Sequence, residues 1–394
     1  MNNIFTERKT CIFCDTKLCN TYFESDYNCH VAHYADEIND VDDKKTAHEI
    51  PFNICVCTKC NTVQTKYLGD LNEIYKTNHA DSTGVIMSNL HKTTSELIFN
   101  YSPHIQNIIE IGSSYGVLAD NIIHKFNENN IELEYNVIEP DFRGEPQNKI
   151  IYNDFYENIN DKEINANMLI ISHVFEHFYN PKQILEKIAE NENIKYFLLV
   201  FPDLEYYLKN NVLHVLNTEH TYYVDNEFII NTVKSHGFSL IERIDYKNHS
   251  VILLFERIIF IENDEKTIKK SQDLQICNDI SSLDNYFNYI NKKVELVNKI
   301  IAQNTQKKVY LWPASIHSFY LCIFGLSMSF TGLLDNSKNK IGKKAYGIQK
   351  YIYDFKKTIE SNDKNTIVII NGGLFNDEIK SLLEKSPNIT SYYM

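Results

Sequence analysis

Four cysteines near the N-terminus have the spacing of a metal site. Cys11 and Cys14 form one C-x2-C pair, and Cys57 and Cys60 form a second. Each pair can occupy a tight turn that points both sulfur atoms at one ion, so two pairs supply the four thiolates of a tetrahedral zinc site. Because such a site has no open position, the zinc would be structural and would contribute folding free energy. The alternative is that some of these thiols are buried apolar side chains.

A glycine turn follows the apolar run 107–111. Gly112 and Gly116 bracket three other residues, and a helical pattern begins at Val117. Glycines let the backbone approach a ligand, and the N-terminus of the following helix supplies free N–H groups beside them. Parallel α/β sheets bind ligands at such turns, at the carboxyl ends of their strands. The pattern lacks the middle glycine of the G-x-G-x-x-G fingerprint and the Gly-Lys-Ser/Thr of a P-loop.

Polar side chains also follow the next predicted strands. Glu139 ends the second strand, where a carboxylate can accept hydrogen bonds from both hydroxyls of a ribose. Asp154 and Phe155 come where a polar group and an aromatic ring could hold an adenine. The third strand ends in Ser172 and His173, at the start of an H-V-F-E-H segment. In this order the set predicts a nucleoside-containing cofactor.

These motifs resemble those of a known enzyme class. E-x-G-x-x-x-G from Glu110, I-E-P at 138–140 and H-V-F-E-H-F-Y-N-P from His173 are similar to class I methyltransferases that use S-adenosylmethionine. The resemblance implies S-adenosylmethionine as the methyl donor. It implies cofactor-binding roles for the following residues: Glu110, Gly112, Ser113, Gly116, Glu139, Pro140, Asp154, Phe155, Ser172 and His173.

The resemblance extends over nearly the whole chain. The paired cysteines with Val63-Gln64 after them, the core motifs, and the C-terminal stretches 334–343 and 376–379 are similar to the zinc-containing sugar C-methyltransferases. That family acts on nucleotide-linked keto-deoxysugars, so the resemblance implies a nucleotide-linked sugar as substrate. It also implies catalytic roles for residues that match the family's acceptor side: His177, Glu219, His220, Tyr222 and Tyr75.

The chemistry of these residue types fits C-methylation. Methylating a carbon beside a ketone needs a base for the α-proton and a donor that stabilises the enolate. An imidazole such as that of His220, beside the carboxylate of Glu219, can be tuned to accept a proton near neutral pH. The sulfonium supplies the electrophile, so this mechanism requires no catalytic metal.

Three segments depart from the family pattern, and all lie on the acceptor side. Asn217 stands where the family has Tyr, 75–83 keeps only part of an aromatic and serine-rich stretch, and Asn248-His249-Ser250 replaces H-G-G-S. Two hypotheses therefore stay open. One is C-methylation of a keto-sugar with His220 or His177 as base, and the other is O- or N-methylation of a sugar or surface-glycan precursor. A third, of another class, is a non-catalytic scaffold whose zinc module binds a protein.

The fold predicted to position these residues is α/β. Apolar runs at 107–111, 135–138, 168–171 and 196–201 alternate with helical patterns, which predicts a parallel sheet covered on both faces. A hairpin at 238–257 would close its edge. Further strands are predicted in the C-terminal part, at 308–312, 330–334 and 366–370, with a helix at 375–384. The predicted domains are a zinc-binding module at 1–80, a class I (Rossmann-like) methyltransferase domain at 81–260, and a helical bridge with a smaller α/β domain at 261–394.

Composition limits the partners. The 394-residue chain has a formal net charge of −13, which repels phosphate backbones, so no nucleic-acid partner is expected. The N-terminus lacks the apolar core of a signal peptide, and the most apolar stretch, 319–334, is shorter than the roughly 18 residues of a membrane span. We therefore expect a cytoplasmic protein without membrane association, in which the nine cysteines are thiols or ligands rather than disulfides. The oligomeric state is not indicated.

Overall fold

The computed structural model of the chain describes residues 5–18, 21–25, 34–35, 51–71, 85–212, 216, 219–258, 280–338, 340–345, 350–361, 363–372 and 376–394. In these ranges the strands are β1 (Phe5–Glu7), β2 (Thr21–Ser25), β3 (Tyr34–Ala35), β4 (Phe52–Val56), β5 (Val63–Thr65), β6 (Tyr67–Gly69), β7 (Asn107–Ile111), β8 (Glu134–Ile138), β9 (Ile150–Tyr152), β10 (Met168–Ser172), β11 (Tyr196–Pro202), β12 (Tyr222–Tyr223), β13 (Phe238–Tyr246), β14 (Ser250–Arg257), β15 (Lys308–Trp312), β16 (Gly332–Asp335), β17 (Lys344–Ala345), β18 (Lys350–Asp354), β19 (Thr366–Ile370) and β20 (Thr390–Tyr393). The helices are α1 (Val85–Asn100), α2 (Val117–Glu128), α3 (Pro181–Glu190), α4 (Leu204–Lys209), α5 (Asn226–Ser235), α6 (Ile280–Gln303), α7 (Ile316–Ile323), α8 (Phe355–Glu360) and α9 (Asn376–Leu383).

The first large sheet has the strand order β13-β14-β11-β10-β7-β8-β9. Strands β7 to β11 run parallel to one another, whereas β14 runs antiparallel to both β11 and β13. Numbered by their appearance in the chain, the parallel strands have the order 3-2-1-4-5 of a doubly wound, Rossmann-like sheet. The predicted α/β class, the parallel sheet and the closing hairpin at its edge are confirmed.

Helices cover both faces of this sheet. Along β7, Ile108 packs in the core under α1 and α2, and its neighbour Ile109 packs in the core under α3 and α5. Successive side chains of a strand point to opposite faces, so a strand buried on both sides must be apolar at nearly every position. This explains why the strands appear in the sequence as continuous apolar runs without polar alternation.

The second large sheet has the order β20-β19-β15-β16-β18-β17-β3. Its five parallel strands repeat the order 3-2-1-4-5, and the antiparallel pair β17 and β3 extends one edge. Helices α6 and α7 pack on one face, and α8 and α9 pack on the other. The predicted strand 330–334 begins two residues later, at Gly332. Strands β18 and β20 were not predicted, because neither forms a continuous apolar run and most of their residues are not buried.

Helix α6 connects the second sheet to the N-terminal part of the chain. Its buried side, which includes Leu283, Tyr286 and Ile290, shares one core with Phe52 and Ile54 of β4. None of the helices in the described ranges combines the length and the apolar character that crossing a membrane requires.

The N-terminal region pairs directly with the segment that carries His220. Strand β12 is the edge of a four-stranded sheet, β12-β5-β4-β2, with Tyr222 opposite Gln64 and Tyr223 opposite Val63. Strand β3, also from the N-terminal region, joins the second large sheet. The borders 1–80, 81–260 and 261–394 therefore separate segments that share sheets and cores, and as domain borders they stay a prediction.

A buried arginine strengthens this contact. The side chain of Arg8 is 7% exposed, and its guanidinium donates hydrogen bonds to the backbone carbonyls of Thr221 (2.8 Å) and Tyr179 (3.3 Å). Burying a guanidinium is costly unless carbonyls or carboxylates accept its hydrogen bonds. Arg8 therefore holds two loops of the first α/β unit against the N-terminal region.

We expect Arg8→Met to lower the free energy of unfolding by about 2–4 kcal/mol, because it leaves buried carbonyls without their charged donor. The matched control is Lys9→Met, which changes a neighbouring side chain that is exposed and should shift stability by less than about 0.5 kcal/mol. Urea denaturation of both variants measures the difference, and equal stability of the two would contradict the role of Arg8.

Candidate functional site

The glycine turn after β7 has the backbone shape that the sequence predicts. Gly112 has φ of 75° and Gly116 has φ of 72°, both in the left-handed region that favours glycine. A Cβ atom at Gly112 would lie 2.2 Å from Cγ2 of Val174. Gly116 is the N-cap of α2, and no side chain caps this helix start. The turn therefore leaves backbone N–H groups available to a ligand's anionic group.

Glu110 lies buried beneath the turn. Its carboxylate accepts hydrogen bonds from the Tyr135 hydroxyl (2.8 Å) and the Ser113 hydroxyl (3.1 Å). Burial raises the pKa of the Glu110 carboxyl to about 7, and the two hydrogen bonds oppose that shift. Glu110 therefore holds the turn in place through Ser113. Its burial costs free energy at pH values above this pKa, where the carboxylate is ionised.

Glu139 lies on the other side of the turn, just after β8. One carboxylate oxygen accepts the backbone N–H of Ser114 (2.9 Å), and the other accepts the N–H of Asp141 (3.1 Å). Each oxygen keeps a further lone pair, so the carboxylate can also accept hydroxyl donors. The carboxyl end of β8 thus presents an oriented acid beside the glycine turn, as a ribose site requires.

A cavity of about 250 Å³ opens at these strand ends. At one end it is lined by Gly112, Glu139 and Phe155, and elsewhere by His177 and Glu219. The predicted cofactor side and the predicted acceptor side therefore face the same space. Pro140 and His173 also line it.

The other predicted residues lie around this cavity without lining it. Asp154 accepts hydrogen bonds from the Phe155 N–H and the Asn158 side chain, both at 2.7 Å. Ser172 is the last residue of β10. Tyr222 is 2% exposed, and its hydroxyl donates to the carbonyl of Phe175 (2.5 Å), so it supports the turn that carries His177. Tyr75 and Asn217 lie outside the described residues.

A cluster of histidines surrounds the carboxylate of Glu176. Glu176 is 4% exposed, and neither of its carboxylate oxygens has a hydrogen-bond partner. The nearest imidazole nitrogens are Nδ1 of His173 (3.7 Å), Nε2 of His220 (3.8 Å) and Nε2 of His177 (4.0 Å). Burial raises the pKa of the Glu176 carboxyl to about 8. The sequence motif contains Glu176, but it was not among the predicted site residues.

Two hydrogen bonds from Thr221, the residue after His220, position His220 in this cluster. The N–H of Thr221 donates to the carbonyl of Glu176 (2.9 Å), and the Thr221 hydroxyl donates to the carbonyl of Phe178 (2.7 Å). The rings of His177 and His220 lie 5.0 Å apart and nearly perpendicular, at 87°. The turn after β10 and the segment before β12 are therefore held together as one unit.

The segment that departs from H-G-G-S lies next to His173. The Ser250 hydroxyl pairs with Nε2 of His173 (3.1 Å) and with Nδ1 of His249 (2.7 Å). His173 has φ of 54°, an uncommon left-handed conformation for a residue with a side chain. Burial lowers the pKa of His173 to about 3, with smaller contributions from neighbouring histidines. Ser250 therefore fixes the ring of His173 and leaves its Nδ1 facing Glu176.

The four N-terminal cysteines come together as predicted. Their sulfur atoms all lie within 4.8 Å of one another, with Cys11 and Cys60 at 3.6 Å and Cys14 and Cys57 at 3.4 Å. Zinc–sulfur bonds of about 2.3 Å give a tetrahedron with edges of roughly 3.8 Å, so the cluster fits zinc closely. The hydrogen bond from Cys60 is the main cause that lowers the pKa of Cys11 to about 4, which favours the thiolate that a metal requires.

Several known structures are similar to this chain. An O-methyltransferase family protein from Burkholderia thailandensis shares 11% identity over 44% of this chain and 57% of its own, with a TM-score of 0.34. Human N-acetylserotonin methyltransferase with SAM shares 13% over 48% of this chain and 59% of its own, with a TM-score of 0.34. Plantazolicin methyltransferase BpumL was solved in complex with a triazolic desmethylPZN analog and SAH. It shares 9% sequence identity over 45% of this chain and 87% of its own, with a TM-score of 0.36.

The chain thus spans less than two thirds of the length of the first two of these structures. No protein-family model and no curated protein matches it. The TM-scores of all three structures are below 0.5.

The protonation of Glu110 predicts a pH-dependent stability. Its pKa is raised from 4.5 in the unfolded chain to about 7, so its stabilising contribution is full below pH 4.5 and is lost as the pH rises through 7. Glu110→Gln carries no such proton. We expect the wild type to lose about 2–3 kcal/mol of unfolding free energy relative to this variant between about pH 5 and pH 8.

Urea denaturation at the two pH values measures this difference. Glu132→Gln is the matched control, because Glu132 is exposed and should keep the wild-type trend. Parallel pH profiles for Glu110→Gln and the wild type would show that Glu110 does not hold a proton in the folded protein.

Proposed function

We propose that the protein is an S-adenosylmethionine-dependent methyltransferase that acts on a nucleotide-linked (keto-deoxy)sugar. One observation carries the proposal: a single cavity is lined both by the glycine turn and Glu139 and by His177 and Glu219. A methyl donor and its acceptor must lie in line and in contact, so one cavity must hold both.

The donor side has a fitting group for each part of S-adenosylmethionine. The open helix start at Gly116 suits the donor's carboxylate, and Glu139 suits its ribose hydroxyls. Phe155 lines the same cavity, where an aromatic ring can contact the adenine. Glycine is needed at position 112 because the Val174 side chain lies against it, 2.2 Å from where a Cβ would stand. When bound, the cofactor supplies a methyl carbon on a positively charged sulfur.

The acceptor side provides a base for C-methylation. The imidazole of His220 or His177 accepts the proton from the carbon beside the ketone, and the electron pair of that C–H bond forms the enolate. The enolate carbon would then be the nucleophile for the methyl group of a cofactor held beside Glu139 and Gly116, and the sulfur would leave as a neutral thioether with the electron pair of the broken bond. Glu219, on the cavity wall beside His220, can orient the acceptor.

O- or N-methylation of a sugar or surface-glycan precursor is the second candidate. This reaction would use the same S-adenosylmethionine site, and the acceptor would lose only a hydroxyl or amine proton. The observation that favours it is the Asn248-His249-Ser250 segment, whose Ser250 hydroxyl is used inside the protein on His173. A non-catalytic scaffold that binds a protein through the cysteine module is the candidate from another class.

Titration calorimetry tests the donor site. S-adenosylmethionine should bind the wild type at one site per chain, and Glu139→Ala should weaken binding at least about tenfold, because the ribose loses a charged acceptor. Glu145→Ala, an exposed acid nearby, is the control and should bind like the wild type. If the wild type binds no S-adenosylmethionine, the scaffold is favoured over both enzyme candidates.

Deuterium exchange separates C-methylation from its rival. In heavy water, the wild type should incorporate deuterium into a nucleotide-linked keto-deoxysugar at the carbon beside the ketone. Either His220→Gln or His177→Gln should slow this exchange about a hundredfold or more, as expected for loss of a general base. Methyl transfer to a hydroxyl sugar, with no exchange in any keto-sugar, would favour O-methylation.

A further inference from the structure

Among the described residues, none neutralises the buried carboxylate of Glu176 through a hydrogen bond. It is 4% exposed, and neither oxygen accepts a hydrogen bond. A buried carboxylate must be neutralised by a proton, a paired cation or a metal ion. The three possibilities predict different distances to the surrounding atoms.

The first two possibilities fit poorly. A protonated carboxyl, the form that burial favours, would still have to donate a hydrogen bond, but the Glu176 carboxylate has no hydrogen-bond partner. An imidazolium paired with the carboxylate would approach to about 2.8 Å. The nitrogens of His220 and His177 instead stay at 3.8 and 4.0 Å from Oε1 of Glu176. These separations leave a gap between the donor atoms of all three side chains.

The gap has the size of a metal ion's coordination sphere. The ligand atoms of Glu176, His177 and His220 all lie within 4.8 Å of one another. Metal–ligand bonds of about 2.1 Å place neighbouring donors roughly 3.0–3.4 Å apart. The distances from Oε1 of Glu176 to His220 (3.8 Å) and His177 (4.0 Å) exceed that range by about half an ångström, which small side-chain rotations can close.

We propose that Glu176, His177 and His220 bind a divalent transition-metal ion through the Glu176 carboxylate and the two Nε2 atoms. One carboxylate with two imidazoles is a donor set used for catalytic zinc and for iron(II) and related ions, and it leaves coordination positions open. It differs from the four thiolates of the cysteine cluster, which select zinc. The chain would then hold two metals of different chemistry.

The position of the site indicates what the ion would do. His177 lines the cavity that also reaches Gly112 and Glu139, so an open coordination position can face the acceptor. We assign the ion the role of an electrophile, and this role rests on the proposed function. It would bind the acceptor's carbonyl or hydroxyl oxygen and lower the pKa of the proton that must leave.

The metal also changes the roles of the imidazoles. With Nε2 bound to metal, His177 and His220 would be ligands instead of the base named above, and the acceptor's proton would pass to water. Slower deuterium exchange in His220→Gln or His177→Gln would then result from loss of the metal. An enolate or alkoxide beside an ionised Glu176 would be strongly repelled in a site without a cation. A divalent ion between them would remove that repulsion, in contrast to the metal-free mechanism expected from the sequence.

Manganese(II) is a suitable probe for the test. Mn²⁺ lies lowest in the affinity order of the first-row ions and does not displace zinc from thiolates, so the cysteine cluster stays undisturbed. The full chain is dialysed against a weak chelator, and elemental analysis verifies that its zinc content is unchanged. Free Mn²⁺ is then counted by electron paramagnetic resonance during a titration.

We expect one Mn²⁺ per chain in the wild type. Glu176→Gln, which keeps the shape of the side chain, and His220→Gln should each weaken binding at least about tenfold. His91→Gln is the matched control, because His91 is a half-buried histidine outside the three-residue cluster and should leave binding unchanged. Circular dichroism of each variant verifies that the fold is retained.

Three results would overturn the proposal or its role. If the protein binds no Mn²⁺, and no Fe²⁺ or Zn²⁺ outside the cysteine cluster, the proposed metal site does not exist. Equal binding by Glu176→Gln and the wild type would place any metal elsewhere. Undiminished methyl transfer by the metal-free protein would remove the electrophile role. Calorimetry with S-adenosylmethionine on the same sample separates these failures from failure of the proposed function, because donor binding does not depend on the metal.

Discussion

The pairing of β12 with β5 is the contact on which the acceptor side depends. Strand β12 has two residues, and it is held at the edge of a sheet that belongs to the cysteine-containing region. Arg8 reinforces it through the carbonyl of Thr221, the residue next to His220. The N-terminal region is therefore a wall of the site as well as an attached module. A metal in the cysteine cluster would stabilise the turns that lead into β5, and through them the position of His220.

Two buried carboxylates show how differently one fold can treat the same chemical group. Glu110 is satisfied by the hydroxyls of Tyr135 and Ser113, so its role is to hold a loop in place. The carboxylate of Glu176 has no hydrogen-bond partner and lies beside three imidazoles. Unsatisfied buried polar groups are rare in proteins and concentrate where a ligand supplies the missing interaction. Both carboxylates are buried, but Glu110 has hydrogen-bond partners and holds a loop, whereas Glu176 has none and is therefore a candidate to bind a ligand.

Local patterns allowed much of the fold to be predicted from the sequence. The cysteine pairs, Gly112 and Glu139 were identified because each follows a short-range rule of spacing or of position after an apolar run. Arg8 could not be identified, because its partner Thr221 lies 213 positions away and no local pattern links them. Glu176 was missed because its motif is visible in the sequence but the absence of a hydrogen-bond partner is not. Tyr222 was assigned from resemblance alone, and that could not reveal that its hydroxyl is bonded to Phe175.

The long separation of β5 from β12 has a consequence for synthesis of the chain. Thr65 and Thr221 are bonded across 156 positions, so β5 emerges from the ribosome long before its partner. At translation rates of about 5–20 residues per second, the edge of β5 that later pairs with β12 stays unpaired for roughly 8–30 s. An exposed strand edge can pair with another chain during that time. The brevity of β5, three residues, limits this hazard, since a short edge offers few backbone groups to a wrong partner.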